Sequence, residues 1–215
     1  MLQLFYGPGN ASLTPHMLLE EIGVPYQLRL VDRAGGEQHT PEFRKLNPNG
    51  LVPVLVDGDL VLYETAAIAM HLADTHPSAG LAPALGTGER AHFYKWLVWM
   101  TNSVQTALLG YFHPESYGGD GDAAREAAIK ASAEARAGRL FDQLGAELAR
   151  HGKPWLLGDR YSAADAFALM LGRWTRSFAR PARTLPNVGP YMQRVLERPA
   201  VQRTFEQENL AQPWI

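Results

Sequence analysis

The chain has 215 residues, of which 46% are hydrophobic and 20% charged, and its formal net charge is -2. This composition is typical of a folded globular protein of one or two domains; it excludes a disordered chain and offers no basic surface for nucleic acid. Because the sequence contains no cysteine, disulfides, thiolate metal sites and a cysteine nucleophile are excluded, and any sulfur chemistry must use a thiol that arrives with a ligand.

The first 76 residues alternate between strand and helix patterns. Gly23 can end the first predicted helix, and Asp57-Gly58 is typical of a hairpin turn between the last two strands. The predicted strands lie near residues 2–6, 25–31, 51–56 and 60–62, and the helices near 11–22, 41–46 and 64–75. The order β-α-β, short helix, β-β-α predicts an α/β domain over residues 1–76.

The rest of the chain shows only helical patterns. Residues 77–88 have the composition of a linker, rich in proline, alanine and glycine. Ser162 and Asp165 have the spacing of a capping box at a helix start. Helices are predicted over residues 89–112, 123–150, 162–179 and 187–206. The sequence therefore predicts an all-α domain over residues 89–215.

Targeting and membrane signals are missing from the sequence. No uninterrupted apolar run approaches the ~18 residues of a membrane span. The start of the chain lacks the basic and long apolar regions of a secretory signal. We therefore expect a cytoplasmic protein without a membrane partner.

Pro53 interrupts an apolar, strand-like run. Proline cannot donate to a sheet ladder, so an ordinary trans proline at a strand edge is one interpretation, and the commoner one for an isolated sequence. A cis Val52-Pro53 bond, found at only ~5–6% of such bonds, is the other. In the cis form the backbone of Val52 would turn outward and could bind a peptide-like ligand as a short extra strand.

Two further groups of polar residues admit two interpretations each. Glu64 and Thr65 start a helix, whose free N–H groups and positive dipole can bind the carboxylate of a ligand, while Glu64 can bind its ammonium group. In the alternative interpretation, Glu64 is a solvated acid and Thr65 only caps the helix. Tyr6, Asn10 and Ser12 crowd the first strand-to-helix turn, where each can donate to an anion; alternatively they are ordinary core, turn and cap residues.

Four motifs, the first three of which correspond to these three sites, follow one another in a characteristic order: Leu4-Phe5-Tyr6-Gly7-Pro8-Gly9 with Ser12-Leu13 and Pro15-His16, Asn47-Pro48-Asn49-Gly50-Leu51-Val52-Pro53-Val54-Leu55, Tyr63-Glu64-Thr65-Ala66-Ala67-Ile68, and Leu157-Gly158-Asp159-Arg160-Tyr161-Ser162-Ala163-Ala164-Asp165. In this order the chain resembles the cytosolic glutathione transferases, most closely the bacterial beta class, over nearly its whole length. The resemblance implies a thioredoxin-like α/β N-terminal domain that binds glutathione, followed by an all-α C-terminal domain, in a homodimer.

The resemblance also implies roles for individual residues. It implies a cis Val52-Pro53 bond, with the Val52 backbone pairing with the cysteinyl unit of glutathione. It implies that Glu64 and Thr65 hold the γ-glutamyl end. Gln38 and His39 lie where family members often reach the glycyl carboxylate.

Three further residues come from the helical part. In beta-class relatives, polar residues near Asn102 reach glutathione across the dimer interface, although the residues of this chain differ from that pattern. Tyr111 and Phe112, near the end of the first long helix, are interpreted as the lining of an apolar pocket for the electrophile, with a role in the core as the alternative.

The histidines show no paired ligand spacing, so we expect no metal.

One departure from the beta class changes the expected chemistry. Beta-class proteins carry a cysteine in the first turn, where this chain has Ala11. Thiolate activation must then come from hydroxyl or amide donors, and we rank Ser12 first, Tyr6 second and Asn10 third. Lowering a thiol pKa of ~8.5 by about two units requires ~2.7 kcal/mol. A hydrogen bond to a charged group supplies ~1.5–3 kcal/mol and a helix start ~0.3–1 kcal/mol, so one donor suffices.

The main hypothesis is a detoxifying glutathione transferase that conjugates glutathione, as co-substrate, to small hydrophobic electrophiles. A second hypothesis is a glutathione-dependent peroxidase or disulfide reductase that uses two bound glutathiones. A third is a non-catalytic glutathione- or ligand-binding protein of the same fold, and a fourth is an adaptor that keeps the fold as a protein-interaction scaffold.

Overall fold

The computed structural model describes residues 1–118 and 121–215. Contacts divide the chain into two compact units. The first comprises residues 1–84 and 196–214, and the second comprises residues 85–195 and 215. The division at residues 76 and 89 stays a prediction, but it differs from these contacts at the end of the chain, where residues 196–214 pack with the first unit.

A four-stranded mixed sheet forms the centre of the first unit. Its order is β2-β1-β3-β4, with β1 parallel to β2 and antiparallel to β3, and β3 antiparallel to β4. In the register, Leu4 lies opposite Leu28 on one side and Leu55 on the other. The strands are β1 (Leu2–Tyr6), β2 (Tyr26–Leu30), β3 (Val54–Asp57) and β4 (Leu60–Tyr63). This arrangement confirms the predicted thioredoxin-like fold.

The helices of this unit cover the sheet. Their bounds are α1 (Leu13–Ile22), α2 (Pro41–Leu46), α3 (Thr65–Thr75) and, from the end of the chain, α10 (Pro199–Gln207). The prediction that Gly23 ends α1 is confirmed, because Gly23 adopts φ +74° and its N–H donates to the Leu19 carbonyl oxygen. Helix α1 packs against α3 and α10. Phe43 of α2 packs in a separate cluster with Val31 and Val54.

Ion pairs accompany the packing of α10 against α1. Arg203 Nε lies 2.7 Å from Glu20 Oε2, and the guanidinium of Arg198 pairs with both carboxylate oxygens of Glu21. The sequence pattern predicts this last helix as part of the all-α domain. Hydrophobic periodicity shows that a helix forms but not which unit it covers, which explains the difference.

The second unit is helical, as predicted. The first long helix consists of α4 (Gly88–Trp99), a π-helical turn (Met100–Gln105) and α5 (Thr106–Phe112). The others are α6 (Glu115–Gly118), α7 (Ala123–His151), α8 (Ala163–Trp174) and α9 (Val188–Leu196). The single helix predicted over 187–206 is divided into α9 and α10, because Pro199 begins a new helix. In the described part of the chain, no helix is long and apolar enough to span a membrane.

The capping box at the start of α8 is confirmed. Asp165 is fully buried and accepts hydrogen bonds from the Ser162 and Leu156 N–H groups and from the Tyr191 hydroxyl, each at 2.8 Å. Burial raises the pKa of the Asp165 carboxyl, and these hydrogen bonds oppose that rise. The carboxylate therefore joins α8, the loop before it and α9 within the second unit.

Candidate functional site

The Ser12 side chain hydrogen-bonds to the backbone of the turn between β1 and α1. The Ser12 hydroxyl accepts the Gly7 N–H and donates to the Gly7 carbonyl oxygen, both at 3.1 Å, and Ser12 is fully buried. A hydroxyl has only one proton to donate, and here Gly7 receives it. In this conformation Ser12 would have to release the Gly7 carbonyl before it could donate to an incoming sulfur, and its first rank among the donors stays a prediction.

Asn10 offers a partly exposed amide in the same turn. Its Oδ1 accepts a hydrogen bond from an Arg33 guanidinium nitrogen at 2.8 Å, so its Nδ2 is the donor group. That nitrogen makes one long bond, 3.3 Å to the Pro8 carbonyl, and an amide carries two protons. One proton of Asn10 thus remains available to a ligand.

Arg33 is a residue of the candidate site that sequence reasoning missed. A Cβ placed on Gly7 would lie 3.1 Å from Asn10 Nδ2, 3.4 Å from Arg33 Cδ and 3.6 Å from Val52 Cγ2, so these three side chains surround Gly7. The order of the strands could have indicated that Arg33 lies near this turn. Since β1 and β2 are parallel, the segments after them meet at one edge of the sheet, and Arg33 lies in the loop after β2.

Tyr6, at the end of β1, lies on the side of the sheet that α1 covers. Its ring centroid is 6.2 Å from that of His16. Burial, and secondarily the negative charge of Glu208, raises the pKa of the Tyr6 hydroxyl. Tyr6 is therefore a neutral hydrogen-bond donor rather than a phenolate.

The Val52-Pro53 bond is cis, which confirms the expectation that the family resemblance raised. Val52 precedes β3 and packs partly against the Phe43 cluster. Among the residues that the structure describes, none hydrogen-bonds its backbone N–H or C=O. This peptide unit is therefore available to pair with an extended ligand.

Gln38 and His39 lie beside the loop that leads to Val52. Gly50 adopts φ +66°, and a Cβ placed there would lie only 2.8 Å from the Gln38 carbonyl oxygen and 3.5 Å from His39 Nδ1. Gln38 Nε2 donates to the Arg33 carbonyl at 3.4 Å, while its buried Oε1 has no partner among the described residues. Both predicted residues therefore approach the loop, with Arg33 adjoining them.

Glu64 and Thr65 stand at the start of α3 in an unusual backbone conformation. Glu64 is exposed and has φ +75° and ψ 116°, a region that a residue with a side chain occupies at a cost of about 1–3 kcal/mol. Thr65 is buried and donates its hydroxyl proton to the Ala11 carbonyl at 3.2 Å. No side chain in the described part of the chain caps α3, so the first N–H groups of this helix can receive an anion.

The three predicted residues of the second unit have different surroundings. Asn102 is exposed in the π-helical turn. Tyr111 is buried with its ring 4.5 Å from that of Phe178, whereas Phe112 is 42% exposed and lies 5.2 Å from Tyr111. Their predicted contacts with ligands stay predictions. Within residues 1–118 and 121–215, no three acidic or histidine side chains form a group that could hold a metal.

Comparison with known protein families matches two models in succession. Residues 11–75 match the glutathione S-transferase N-terminal domain, and residues 99–199 match the glutathione S-transferase C-terminal domain. The two boundaries agree with the succession of an α/β unit and a helical unit.

Individual proteins resemble the chain over almost its whole length. Glutathione S-transferase GstB of Escherichia coli K12 is 32% identical, over 92% of this chain and 95% of the relative. Disulfide-bond oxidoreductase YfcG of the same strain is 31% identical, over 93% and 92%. The structure of a sphingomonad glutathione S-transferase complexed with glutathione is 30% identical, covers 97% of this chain and 100% of that one, and superposes with a TM-score of 0.84.

Proposed function

Since the chain belongs to the glutathione S-transferase family, we propose that it transfers the sulfur of glutathione to small hydrophobic electrophiles at the site on its first unit. The observation that carries this proposal is the peptide unit of Val52, which precedes a cis proline and has no hydrogen-bond partner among the described residues. The peptide groups of the glutathione cysteinyl unit supply the matching donor and acceptor.

The two ends of glutathione have complementary groups on either side of Val52. The Glu64 carboxylate pairs with the ammonium of the γ-glutamyl end, and the free N–H groups at the start of α3 bind its carboxylate. Gln38 and His39 bind the glycyl carboxylate, and we add Arg33, whose backbone Gln38 already contacts.

Asn10 becomes the first candidate for stabilising the thiolate. It has a proton to donate, and Arg33 holds its amide with the NH2 group away from the guanidinium. Tyr6 stays second, as a neutral donor. Ser12 becomes third, because its hydroxyl would first have to leave Gly7. Arg33 adds a positive charge, which favours the ionised sulfur.

The chemical step requires no covalent enzyme intermediate. The thiol proton goes to water or buffer, the thiolate attacks an electrophilic carbon, a carbon–sulfur bond forms, and the leaving group departs with its electron pair. Tyr111 and Phe112 line the electrophile pocket and Asn102 reaches glutathione across a homodimer interface in this proposal. A cytoplasmic location and a role in detoxification belong to it as well.

Binding to immobilised glutathione, followed by an aryl halide assay, tests the proposal. We expect Asn10→Ala to lower kcat by about tenfold, a loss of ~1.4 kcal/mol, and to reduce the thiolate absorbance of bound glutathione. Tyr6→Phe should have a smaller effect and Ser12→Ala should mainly lower stability. A wild-type protein that does not bind glutathione contradicts the proposal, and one that binds without turnover indicates the binding-protein alternative.

A second candidate function is the reduction of disulfides by two glutathiones. The similarity to a relative named disulfide-bond oxidoreductase favours it. One glutathione thiolate attacks the disulfide and releases a thiolate; the second attacks the mixed disulfide, so the substrate is reduced and glutathione disulfide is formed. Because the chain has no cysteine, both reducing sulfurs come from glutathione. Turnover of a small disulfide faster than that of an aryl halide would favour this function.

A further inference from the structure

A fully buried carboxylate from the far end of the chain reaches the turn that holds Asn10. Glu208 directly follows α10, and its Oε2 accepts the N–H of Gly9 at 2.7 Å. The same carboxylate binds His16 of α1 through Oε1, 2.8 Å from Nδ1, and both side chains have 0% exposure. A carboxylate buried to this extent requires compensating partners, and here both oxygens have one.

The second nitrogen of His16 completes the network. His16 Nε2 lies 2.7 Å from Gln207 Oε1 of α10 and 3.1 Å from the Tyr26 hydroxyl of β2. Nδ1 of the same ring contacts Glu208, so the imidazole lies between the two side chains. The orientation of Glu208 is therefore fixed by α1 and α10 together, independently of the turn.

The Gly9 amide is a point at which this network holds the turn. Gly9 adopts φ +67°, and its neighbour Asn10 donates its backbone N–H to Gly7 at 3.1 Å. Hydrogen-bond donors stabilise a developing charge only when they are held within about 0.5 Å of the required position. Two hydrogen bonds therefore hold the turn: the Gly7 N–H donates to the Ser12 hydroxyl, and the Gly9 N–H donates to the Glu208 carboxylate.

We propose that Glu208 is a positioning residue for thiolate formation: by holding the Gly9 amide, it keeps Asn10 where it can donate to the glutathione sulfur. This inference rests on the proposed function. It assigns a role in the sulfur site to a residue 199 positions from the turn that it contacts. Its effect should be on the ionisation of bound glutathione and on kcat, because the tripeptide itself is held by Val52, Glu64 and the start of α3.

Two substitutions of Glu208 distinguish the effect of its side-chain length from the effect of its negative charge. Glu208→Asp keeps the charge but shortens the side chain by one methylene, so it cannot hold Gly9 and His16 at once. Glu208→Gln removes the charge but keeps the length of the side chain, since its amide oxygen can accept from Gly9 while its amide NH2 group faces His16 Nδ1. Glu206→Asp, at an exposed position of α10, is the matched control.

We expect Glu208→Asp to lower kcat about threefold or more, to move the pH profile of thiolate absorbance about half a unit towards alkaline pH, and to leave the glutathione KM within about threefold. Glu208→Gln and Glu206→Asp should match the wild type within about twofold. Equal losses in the aspartate and glutamine variants, or an unmoved pH profile in both, would overturn the proposal.

Amide exchange of Gly9 in the wild type provides a test that does not depend on a variant folding. The Gly9 amide should be protected from exchange about a hundredfold or more, and an unprotected amide overturns the proposal. A wild type that neither binds nor ionises glutathione refutes the proposed function instead, while the protection of Gly9 still reports on the contact with Glu208.

Discussion

The hydroxyl of Thr65 donates a hydrogen bond to the carbonyl oxygen of Ala11 across 3.2 Å, which ties the start of α3 to the turn before α1. In the proposed site, α3 binds the γ-glutamyl end of glutathione and the turn binds its sulfur. The bond thus fixes the spacing between the two parts of the substrate that have to be held at once.

Removing this bond should weaken both stability and binding. Thr65→Val keeps the shape of the side chain but leaves the Ala11 carbonyl without its donor, which we expect to cost about 1 kcal/mol of unfolding free energy. Glutathione affinity should fall as well, and Thr65→Ser should restore both. Urea denaturation and calorimetric titration measure the two effects, and a valine variant with unchanged affinity would show that the spacing does not depend on this bond.

We expect the positive φ of Glu64 to lower the stability of the protein, whereas its carboxylate strengthens glutathione binding. Glu64→Gly relieves the positive φ, so we expect it to be about 1 kcal/mol more stable than Glu64→Ala, which keeps the strain. Both variants lack the carboxylate and should bind glutathione about tenfold more weakly than the wild type. The comparison of the two variants in urea isolates the backbone contribution. Equal stabilities would mean that Glu64 is not strained.

Gly50 should tolerate alanine much less than another glycine with a similar backbone. A Cβ on Gly50 meets the Gln38 carbonyl at 2.8 Å, whereas one on Gly58, at φ +59°, meets nothing within 4 Å. Gly58→Ala should cost about 1 kcal/mol, and Gly50→Ala should cost more and also raise the glutathione KM, because the loop carrying Gln38 must move. Thermal unfolding and steady-state kinetics of the two variants check this.

Glu20 should make the first unit sensitive to acid. Burial raises the pKa of its carboxyl, but hydrogen bonds from Tyr26, Arg203 and Gln207, with the Arg203 charge, outweigh this and lower the pKa below 4.5. A lowered pKa in the folded state means that the ionised form adds stability above pH 4.5, and that this stability is lost as the pH falls through the folded pKa.

The corresponding measurement compares the wild type with Glu20→Gln across pH. The wild type should have the higher Tm at pH 7, and the difference should shrink as the pH falls below about 4. A difference that stays constant from pH 7 to pH 3 would show that the carboxylate has no ionisation-linked role in the packing of α10 on α1.

The sequence predicted well what depends on neighbouring residues. Hydrophobic periodicity and turn residues predicted the strand and helix order, whereas the cis Val52-Pro53 bond was implied only by the family resemblance and not by the local sequence. The hydrogen bond between Ser12 and the backbone of Gly7, which lowers Ser12 in our proposed ranking of donors, is not revealed by a residue pattern. Arg33 and Glu208 were missed because only the folded chain brings a loop and a terminal helix to the same turn.

The packing of residues 196–214 with residues 1–84 has a consequence for synthesis on the ribosome. The sheet and α1 emerge more than a hundred residues before α10 does. Until then His16, which has no exposed surface in the folded protein, lacks its contacts with Gln207 and Glu208. The nascent first unit therefore carries an uncovered polar face on α1 until the ribosome has synthesised α10.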